Sequence, residues 1–269
     1  MKKTAFIIAL AVLFSACTRN AVTGRKQVSL FSEATLRQEA LTQYQSFLSQ
    51  NTVVSQNTSK DAEMVRRVGT RIAKAITDYY TAKGLSKELE GYDWEFNLVN
   101  NPEANAWCMP GGKVVVYSGI LQYTQNEAAL AVVMGHEITH AVAHHGNERI
   151  SQAAIAQGLG VVGDLFTSNN PKANALFTNV FAPGAQVAVL MPNSRNQEYE
   201  ADHFGLNFCA MAGYNPREAV AFWQRMAAGK SQKTPEFLST HPSDENRITR
   251  LQSHMDEALQ YYKPVGPTR

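Results

Sequence analysis

Apolar residues recur at helical spacing along several stretches of the chain. The clearest amphipathic pattern covers residues 61–83, and the same spacing predicts helices over 32–49 and 194–212. Two more helices are predicted, one after Pro216 to Ala228 and a last one from Ser243 to about Tyr262. The hydrophobic pattern therefore indicates a mainly helical chain.

The middle of the chain adds a small sheet to this picture. Residues 92–100 alternate as a strand does, and 104–119 have the pattern of a strand, a Pro-Gly-Gly turn and a second strand. A helical pattern follows from Asn126, which can cap a helix, to about Gln157. Residues 158–192 predict a broken helix with mobile loops, either a lid or an ordinary excursion. The whole predicts one α+β domain.

The N-terminus has the pattern of a secretory signal. Two lysines precede a ten-residue apolar run, Ala5 to Phe14, which is too short to span a bilayer. Small residues then lead to Cys17, which favours a lipoprotein signal over 1–16 with Cys17 lipidated; ordinary secretion with an unmodified Cys17 is the alternative. Residues 17–31 are polar and predict a tether, which leaves 32–269 as the domain.

Charge and cysteine content add two expectations. Without residues 1–16 the chain keeps 23 basic and 23 acidic residues, and a formal net charge of zero argues against a nucleic-acid partner. Apart from Cys17, the remaining cysteines are Cys108 and Cys209. We expect these two to be separate, mostly buried thiols rather than a disulfide.

Four of the seven histidines lie in MGHEITHAVAHH, residues 134–145. His136 and His140 are four residues apart, so a helix places both imidazoles on one face, where one tetrahedral zinc can bind both. Glu137 lies about 100° around the helix, where it can activate a water molecule without binding the metal. A chance match on a helix is the alternative, but the preceding apolar residues predict burial, which is costly for these side chains without a metal or partner.

A catalytic zinc site needs a third protein ligand. The longer motif H-E-x-x-H-x-x-G-x-x-H would supply it locally, but this chain has Ala143 and Gly146 at the positions of that glycine and histidine. That class is therefore excluded. His144 and His145 are predicted either to face solvent or to hydrogen-bond a ligand.

The acidic residues of SRNQEYEADHFG, residues 194–205, are the best source of the third ligand. Glu198 and Asp202 are i and i+4 on a predicted helix, so one can bind zinc while the other accepts the N–H of a ligand histidine. Glu200 lies between them, and the residues alone do not choose between Glu198 and Glu200. A solvated acidic helix face is the alternative interpretation.

These motifs together resemble the HtpX/CAAX-protease family of zinc metallopeptidases, metallopeptidase family 48. The resemblance covers about residues 20–262, and the layout is similar to the periplasmic, lipoprotein-type branch that lacks membrane helices. The matching positions are Asn105–Trp107, Pro110–Gly112, Gly135–His140, Ser194, Arg195, Glu198, Ala201, Asp202, His241, Pro242 and Arg247.

The resemblance implies a mainly helical, gluzincin-like metallopeptidase domain with its small sheet beside the zinc-binding helix. It implies one Zn²⁺ per chain, held by His136, His140 and Glu198, with Glu137 as general base. Asp202 would accept a hydrogen bond from a ligand histidine. The choice of Glu198 over Glu200 comes from the resemblance and not from the spacing.

The resemblance also places a strand along the cleft, where substrate backbone can pair as an added strand. This strand contains Asn105, Ala106, Trp107 and Cys108. His241 either approaches the zinc, to stabilise an oxyanion or to plug the open position, or is a helix-entry residue held by local hydrogen bonds. Arg247 is expected to support a carboxylate near the metal.

The sequence thus predicts a lipid-anchored zinc endopeptidase of a bacterial cell envelope. The resemblance implies that it acts on misfolded or unassembled envelope proteins. Thr18 follows Cys17 and is not Asp, which by similarity to other lipoproteins favours the outer membrane and its periplasmic side. The alternatives are a latent, chaperone-like zinc lipoprotein that binds clients without routine cleavage, and a hydrolase of small molecules. The intact motif favours an enzyme, because a pure binder does not need Glu137.

Overall fold

The computed structural model of the protein describes residues 17–157, 171–181, 194–229, 235–241 and 246–264. Its strands are β1 (Cys17–Arg19), β2 (Lys26–Val28), β3 (Glu95–Val99), β4 (Ala106–Met109) and β5 (Lys113–Tyr117). Its helices are α1 (Glu33–Gln50), α2 (Lys60–Ala82), α3 (Leu121–Thr124), α4 (Glu127–Val142), α5 (His145–Ala156), α6 (Pro171–Phe181), α7 (Ser194–Met211), α8 (Glu218–Ala228), α9 (Glu236–Thr240), α10 (Arg247–Ser253) and α11 (Met255–Tyr261). None of these helices has the length and apolar character needed to cross a membrane.

The predicted α+β class is confirmed, and the longer helices begin where capping residues were available. Ser32 and Ser59 stand before α1 and α2, and each hydroxyl accepts the backbone N–H three residues on. Asn126 does the same for α4, accepting from Ala129 at 2.8 Å. These contacts satisfy N–H groups that a helix terminus leaves without partners.

A three-stranded sheet lies beside α4, with strand order β3-β5-β4. β4 and β5 form the predicted antiparallel hairpin, and β3 pairs with β5 in parallel. Gly111 and Gly112 make the hairpin turn with φ of 87° and 85°, a backbone conformation that favours glycine. Within the described chain, β4 is therefore an edge strand of this sheet.

The core is built around α4, whose residues are buried from Ala129 to Val142. Helix α7 crosses α4 with almost no side chain between the two backbones, because Gly135 and Gly205 face each other. A Cβ at Gly135 would lie 2.7 Å from the Gly205 carbonyl oxygen. This close crossing brings the acidic residues of α7 beside the histidines of α4.

The prediction of one helix from 126 to 157 is wrong. The helix ends at Val142, His144 has a left-handed backbone with φ of 54°, and a separate helix, α5, begins at His145. The His144 side chain lies between Glu33 and Glu88, with nitrogen–oxygen distances of 3.1 and 3.6 Å. These tertiary contacts accompany a break that helical periodicity does not reveal.

Two other predictions are tested only in part. The structure contains α6 within 158–192, but 158–170 and 182–193, including the hypothetical lid loops, lie outside the described residues. The predicted C-terminal helix is two helices, α10 and α11, which meet at His254. Its expected start at Ser243 lies outside the described residues. Cys108 and Cys209 are free thiols, as predicted.

Residues 17–31 do not form the predicted free tether. β1 and β2 pair as an antiparallel hairpin, and Asn20 is buried with its amide donating to the Ala143 carbonyl at 2.6 Å. Arg25 reaches Glu148 and Glu200 on the domain. The segment is polar because its polar groups have partners in the domain, which composition alone cannot distinguish from solvation. Residues 1–16, the predicted signal, lie outside the described residues.

The His144 contacts predict a pH dependence of stability. Burial lowers the pKa of His144, but the hydrogen bonds to Glu33 and Glu88 outweigh this and raise it from 6.5 to about 9. Because the folded-state pKa of His144 is raised, the protonated His144 stabilises the folded protein fully below about pH 6.5, and this stabilisation is lost as the pH rises through about 9. We expect the free energy of unfolding, measured with urea, to fall by up to about 3 kcal/mol over this pH range. His144→Asn, which tolerates the left-handed backbone, should remove it; an unchanged slope in the variant would contradict the assignment.

Candidate active site

Helix α4 places His136 and His140 on one face, as the motif predicts. Their Nε2 atoms are 3.2 Å apart. Helix α7 brings the Glu198 carboxylate to the same point, with oxygens 3.3 Å from the Nε2 atoms of His136 and His140. The structure therefore brings together the three residues that the sequence predicted as metal ligands.

A fourth donor comes from the end of α9. His241 is buried, and its Nδ1 lies 3.2 Å from the Nε2 of His136 and 3.2 Å from both oxygens of Glu198. Its backbone N–H donates to the Phe237 carbonyl at 2.8 Å, and its ring packs on the Phe237 ring. His241 is thus a member of the cluster and not only a helix-entry residue.

The donor set fits one zinc ion. Five donor-atom separations of 3.2–3.3 Å among these residues match the edge length of a tetrahedron whose centre lies about 2.0 Å from each corner, which is the length of zinc bonds to imidazole nitrogen and carboxylate oxygen. Two neutral imidazoles and a carboxylate are also the ligand chemistry of catalytic zinc. His241 presents its Nδ1 beside His136 and Glu198 as a fourth potential donor, whereas a catalytic zinc site keeps its fourth position for water or substrate.

Glu137 is next to this cluster and outside it. Its Oε1 is buried, makes no hydrogen bond and lies 3.3 Å from the Nε2 of His241. Burial raises the pKa of the Glu137 carboxyl, although the charges of His241 and His136 oppose this shift. Burial makes a carboxylate a stronger base, and an oxygen that accepts no hydrogen bond is available to take a proton.

An ion pair between Asp202 and Arg247 contacts His136 on the side away from the other ligand candidates. Its Nδ1 lies 3.0 Å from Asp202, and Arg247 donates to the same carboxylate oxygen at 2.6 Å. Arg247 is 1% exposed, lies 3.5 Å above the Trp223 ring and donates to the His241 carbonyl at 3.3 Å. Asp202 and Arg247 therefore lie where the resemblance placed them, and Arg247 also touches the backbone of His241.

The expectation that His144 and His145 face solvent is wrong. The alternative, a hydrogen bond to a metal-ligand candidate, is correct for His145. The His145 side chain is fully buried, with its Nδ1 2.9 Å from the Nδ1 of His140 and its Nε2 2.9 Å from Glu200. Sequence reasoning missed Glu200 and Arg25 as partners of the site. A helix continued through His144 would have turned His145 about 140° away from His140, so the local pattern held no signal for this contact.

Strand β4 runs beside the base. Burial raises the pKa of the Cys108 thiol, and the charge of Glu137 adds to the shift. Tyr117 donates to the Asn105 carbonyl at 3.0 Å. Because antiparallel pairing alternates, the main-chain groups of Ala106 and Cys108 point away from β5, toward the open edge. The Ala106 N–H is bonded to the Asn105 side chain, while Trp107 packs on the far side of the sheet against Tyr44 and Phe47.

A second group of potential ligands in the described chain is less suited to a metal. His203, His254 and Glu257 approach one another on the surfaces of α7 and α11. The two imidazoles stack with 16° between their planes and 3.9 Å between their centres. Their in-plane lone pairs therefore do not converge on one ion.

Comparisons with known proteins agree with this site. The family model described as Peptidase family M48 matches residues 59–255. The mitochondrial metalloendopeptidase OMA1 of Saccharomyces cerevisiae is 37% identical over 183 residues, which cover 65% of this chain and 51% of that protein. The Arabidopsis thaliana protein of the same name is 36% identical over 190 residues, 70% of this chain and 37% of that protein.

A bacterial relative has a different name. The beta-barrel assembly-enhancing protease of Escherichia coli K12 is 31% identical over 171 residues, which cover 61% of this chain and 35% of that protein. The chain spans about half the length, or less, of the relatives it matches. The family match covers well over half of the chain, including both helices that carry the metal-ligand candidates. The chain belongs to peptidase family M48.

Proposed function

We propose that the chain is a zinc-dependent endopeptidase. The observation that carries this proposal is the convergence of His136, His140 and Glu198 to tetrahedral spacing, with the buried carboxylate of Glu137 beside them. A pure binding protein would need the ligands but would have no use for the base. Casein cleavage by the mature, lipid-free chain tests the proposal: 1,10-phenanthroline should stop it, and added zinc should restore it.

The proposed mechanism uses Glu137 to move one proton. A zinc ion on the three ligands would polarise the scissile carbonyl and acidify a water molecule. Glu137 accepts a proton from that water on its carboxylate as the water oxygen bonds to the scissile carbonyl carbon, and it passes the proton to the amine nitrogen as the carbon–nitrogen bond breaks. Asp202 accepts a hydrogen bond from the Nδ1 of His136, which keeps the Nε2 of His136 free for the metal.

The substrate backbone is proposed to lie along β4. The Ala106 carbonyl and the Cys108 main-chain groups point toward the open edge, so an extended peptide can add there as a strand. The Trp107 side chain and the Asn105 amide stabilise this edge from within instead of contacting the peptide. An added strand demands an unfolded segment, which supports misfolded or unassembled proteins as the substrate class.

The proposed role of His241 is to plug the site, because its Nδ1 lies 3.2 Å from the Nε2 of His136 and from the Glu198 carboxylate, where it can take the position of a water or substrate ligand. His241→Ala should raise the rate of casein cleavage about tenfold, as expected if the plugged state outweighs the open state by that ratio. His203→Ala, a partly buried histidine outside the cluster, should leave the rate unchanged. If His241 instead stabilised an oxyanion, its loss would lower the rate by about 10²–10³-fold, and the plug would be wrong.

The proposed location is the bacterial cell envelope, with Cys17 lipidated and the domain on the periplasmic side of the outer membrane. The signal pattern of residues 1–16 supports this. The E. coli relative, named for enhancing β-barrel assembly, supports an envelope protein as substrate. In cells, Cys17→Ser should move the protein from the membrane fraction to the soluble fraction; if the variant stays with the membrane, lipidation is not its anchor.

A further inference from the structure

We propose that Arg25, Glu200 and His145 form a hydrogen-bonded support that orients the zinc ligand His140, which makes the N-terminal hairpin β1–β2 part of the metal site. The inference rests on the proposed zinc site. The sequence offered a hydrogen bond from His145 to a ligand only as an alternative, and it gave Glu200 and Arg25 no supporting role. Three elements contribute one residue each: the hairpin region supplies Arg25, α7 supplies Glu200 and α5 supplies His145.

The direction of the hydrogen bonds follows from zinc chemistry. If His140 binds metal through Nε2, that atom carries no proton, so the proton is on Nδ1. The Nδ1 of His140 lies 2.9 Å from the Nδ1 of His145 and must donate to it. His145 then carries its own proton on Nε2 and donates it to Glu200 at 2.9 Å. One metal bond therefore determines the tautomers of both rings.

Arg25 holds the far end of this chain of contacts. Its Nε donates to Glu200 at 2.7 Å, and its other nitrogens form a two-point contact with Glu148 at 2.7 and 2.6 Å. Gln197 of α7 also donates to Glu148, at 2.6 Å. The guanidinium thus ties the hairpin to α5 and α7 and keeps the Glu200 carboxylate aimed at His145.

The two ligand histidines of α4 have matching supports. His136 donates to Asp202, and Asp202 is held by Arg247. His140 has a similar support. Arg25 holds the Glu200 carboxylate, and the His145 ring lies between Glu200 and His140. Carboxylates behind ligand histidines fix the ring orientation and raise metal affinity, and losing such a partner costs about 10–100-fold in affinity.

Zinc affinity, measured by chelator competition in a Glu137→Gln background, tests the proposal without self-cleavage. His145→Leu should weaken zinc binding by about 10–100-fold. His145→Asn should recover most of this loss, because its side-chain oxygen can accept from the Nδ1 of His140. Arg25→Met, at a partly exposed position, should weaken binding less, by about threefold to tenfold. The matched control is His203→Asn, which changes a partly buried histidine that pairs with Glu257 and has no contact with the support.

A spectroscopic measurement separates positioning from general destabilisation. With cobalt(II) in place of zinc, the visible absorption of His145→Leu should shift, while that of His203→Asn should match the parent. Unaltered affinity and spectrum in both His145→Leu and Arg25→Met would overturn the inference, and so would equal losses in all variants including the control. If the parent itself bound no zinc, the proposed function would fail, which is a different result from a parent that binds and variants that do not differ.

Discussion

Glu137→Gln should lower casein cleavage by about 10²–10⁴-fold while the variant keeps one zinc per chain. The amide has nearly the shape of the carboxylate but cannot accept a proton at neutral pH. The three metal-ligand candidates remain in place, because the Glu137 Oε1 makes no hydrogen bond that positions them. Cleavage is followed on fluorescent casein, and bound zinc by elemental analysis of the same sample.

The control for this variant is Glu257→Gln, a carboxylate of α11 that pairs with His203 and Asn207 outside the zinc cluster. It should retain the activity of the parent. Equal cleavage by Glu137→Gln and the parent would mean that the activity comes from another protease. A variant that had lost its zinc would leave the base unassigned, and Glu137→Asp would then separate charge from position.

Arg247→Met should lower the free energy of unfolding by about 3–5 kcal/mol, the usual cost of leaving a buried charge without its partner. Arg247 is 1% exposed and donates to Asp202 at 2.6 Å, so its removal leaves the Asp202 carboxylate buried without that neighbour. The variant also loses the stacking on Trp223 and the contact with the His241 carbonyl. Urea unfolding of the zinc-loaded protein measures the difference.

Arg250→Met is the matched control on the same helix. Arg250 lies 3.9 Å above the Tyr199 ring and is partly exposed, so we expect a loss of about 1 kcal/mol or less. A loss below about 1 kcal/mol for Arg247→Met would show that the buried pair does not stabilise the domain. Such a result would also weaken the view that Arg247 holds the support behind His136.

How much of the site could be predicted depended on how local its geometry is. The arrangement of His136, Glu137 and His140 follows from helical spacing alone. Glu198 comes from another helix, and its approach depends on the crossing at Gly135 and Gly205, which no periodicity shows. The choice of Glu198 over Glu200 therefore needed a family pattern, whereas the structure separates them by the ring that each one faces.

The missed features are those that depend on tertiary contacts. His145 faces His140 only because the chain turns at His144, where the partners Glu33 and Glu88 come from distant segments. The hairpin of residues 17–28 appeared to be a solvated tether, since the partners of Asn20 and Arg25 lie more than 100 residues away. Composition reports that a residue is polar, but not whether water or protein satisfies it.

The docked hairpin would limit the distance between the domain and a lipid anchor at Cys17. If Cys17 carries the lipid, only three residues separate the membrane from the buried side chain of Asn20, at most about 10 Å of extended chain. A flexible tether of about 15 residues would instead allow a root-mean-square distance of roughly 20 Å between the domain and its anchor. The peptidase would then rest on the bilayer and meet only proteins in the layer next to it. Its substrate selectivity would then depend partly on location, because unfolded proteins at the membrane surface are within reach of the site and those farther from the membrane are not.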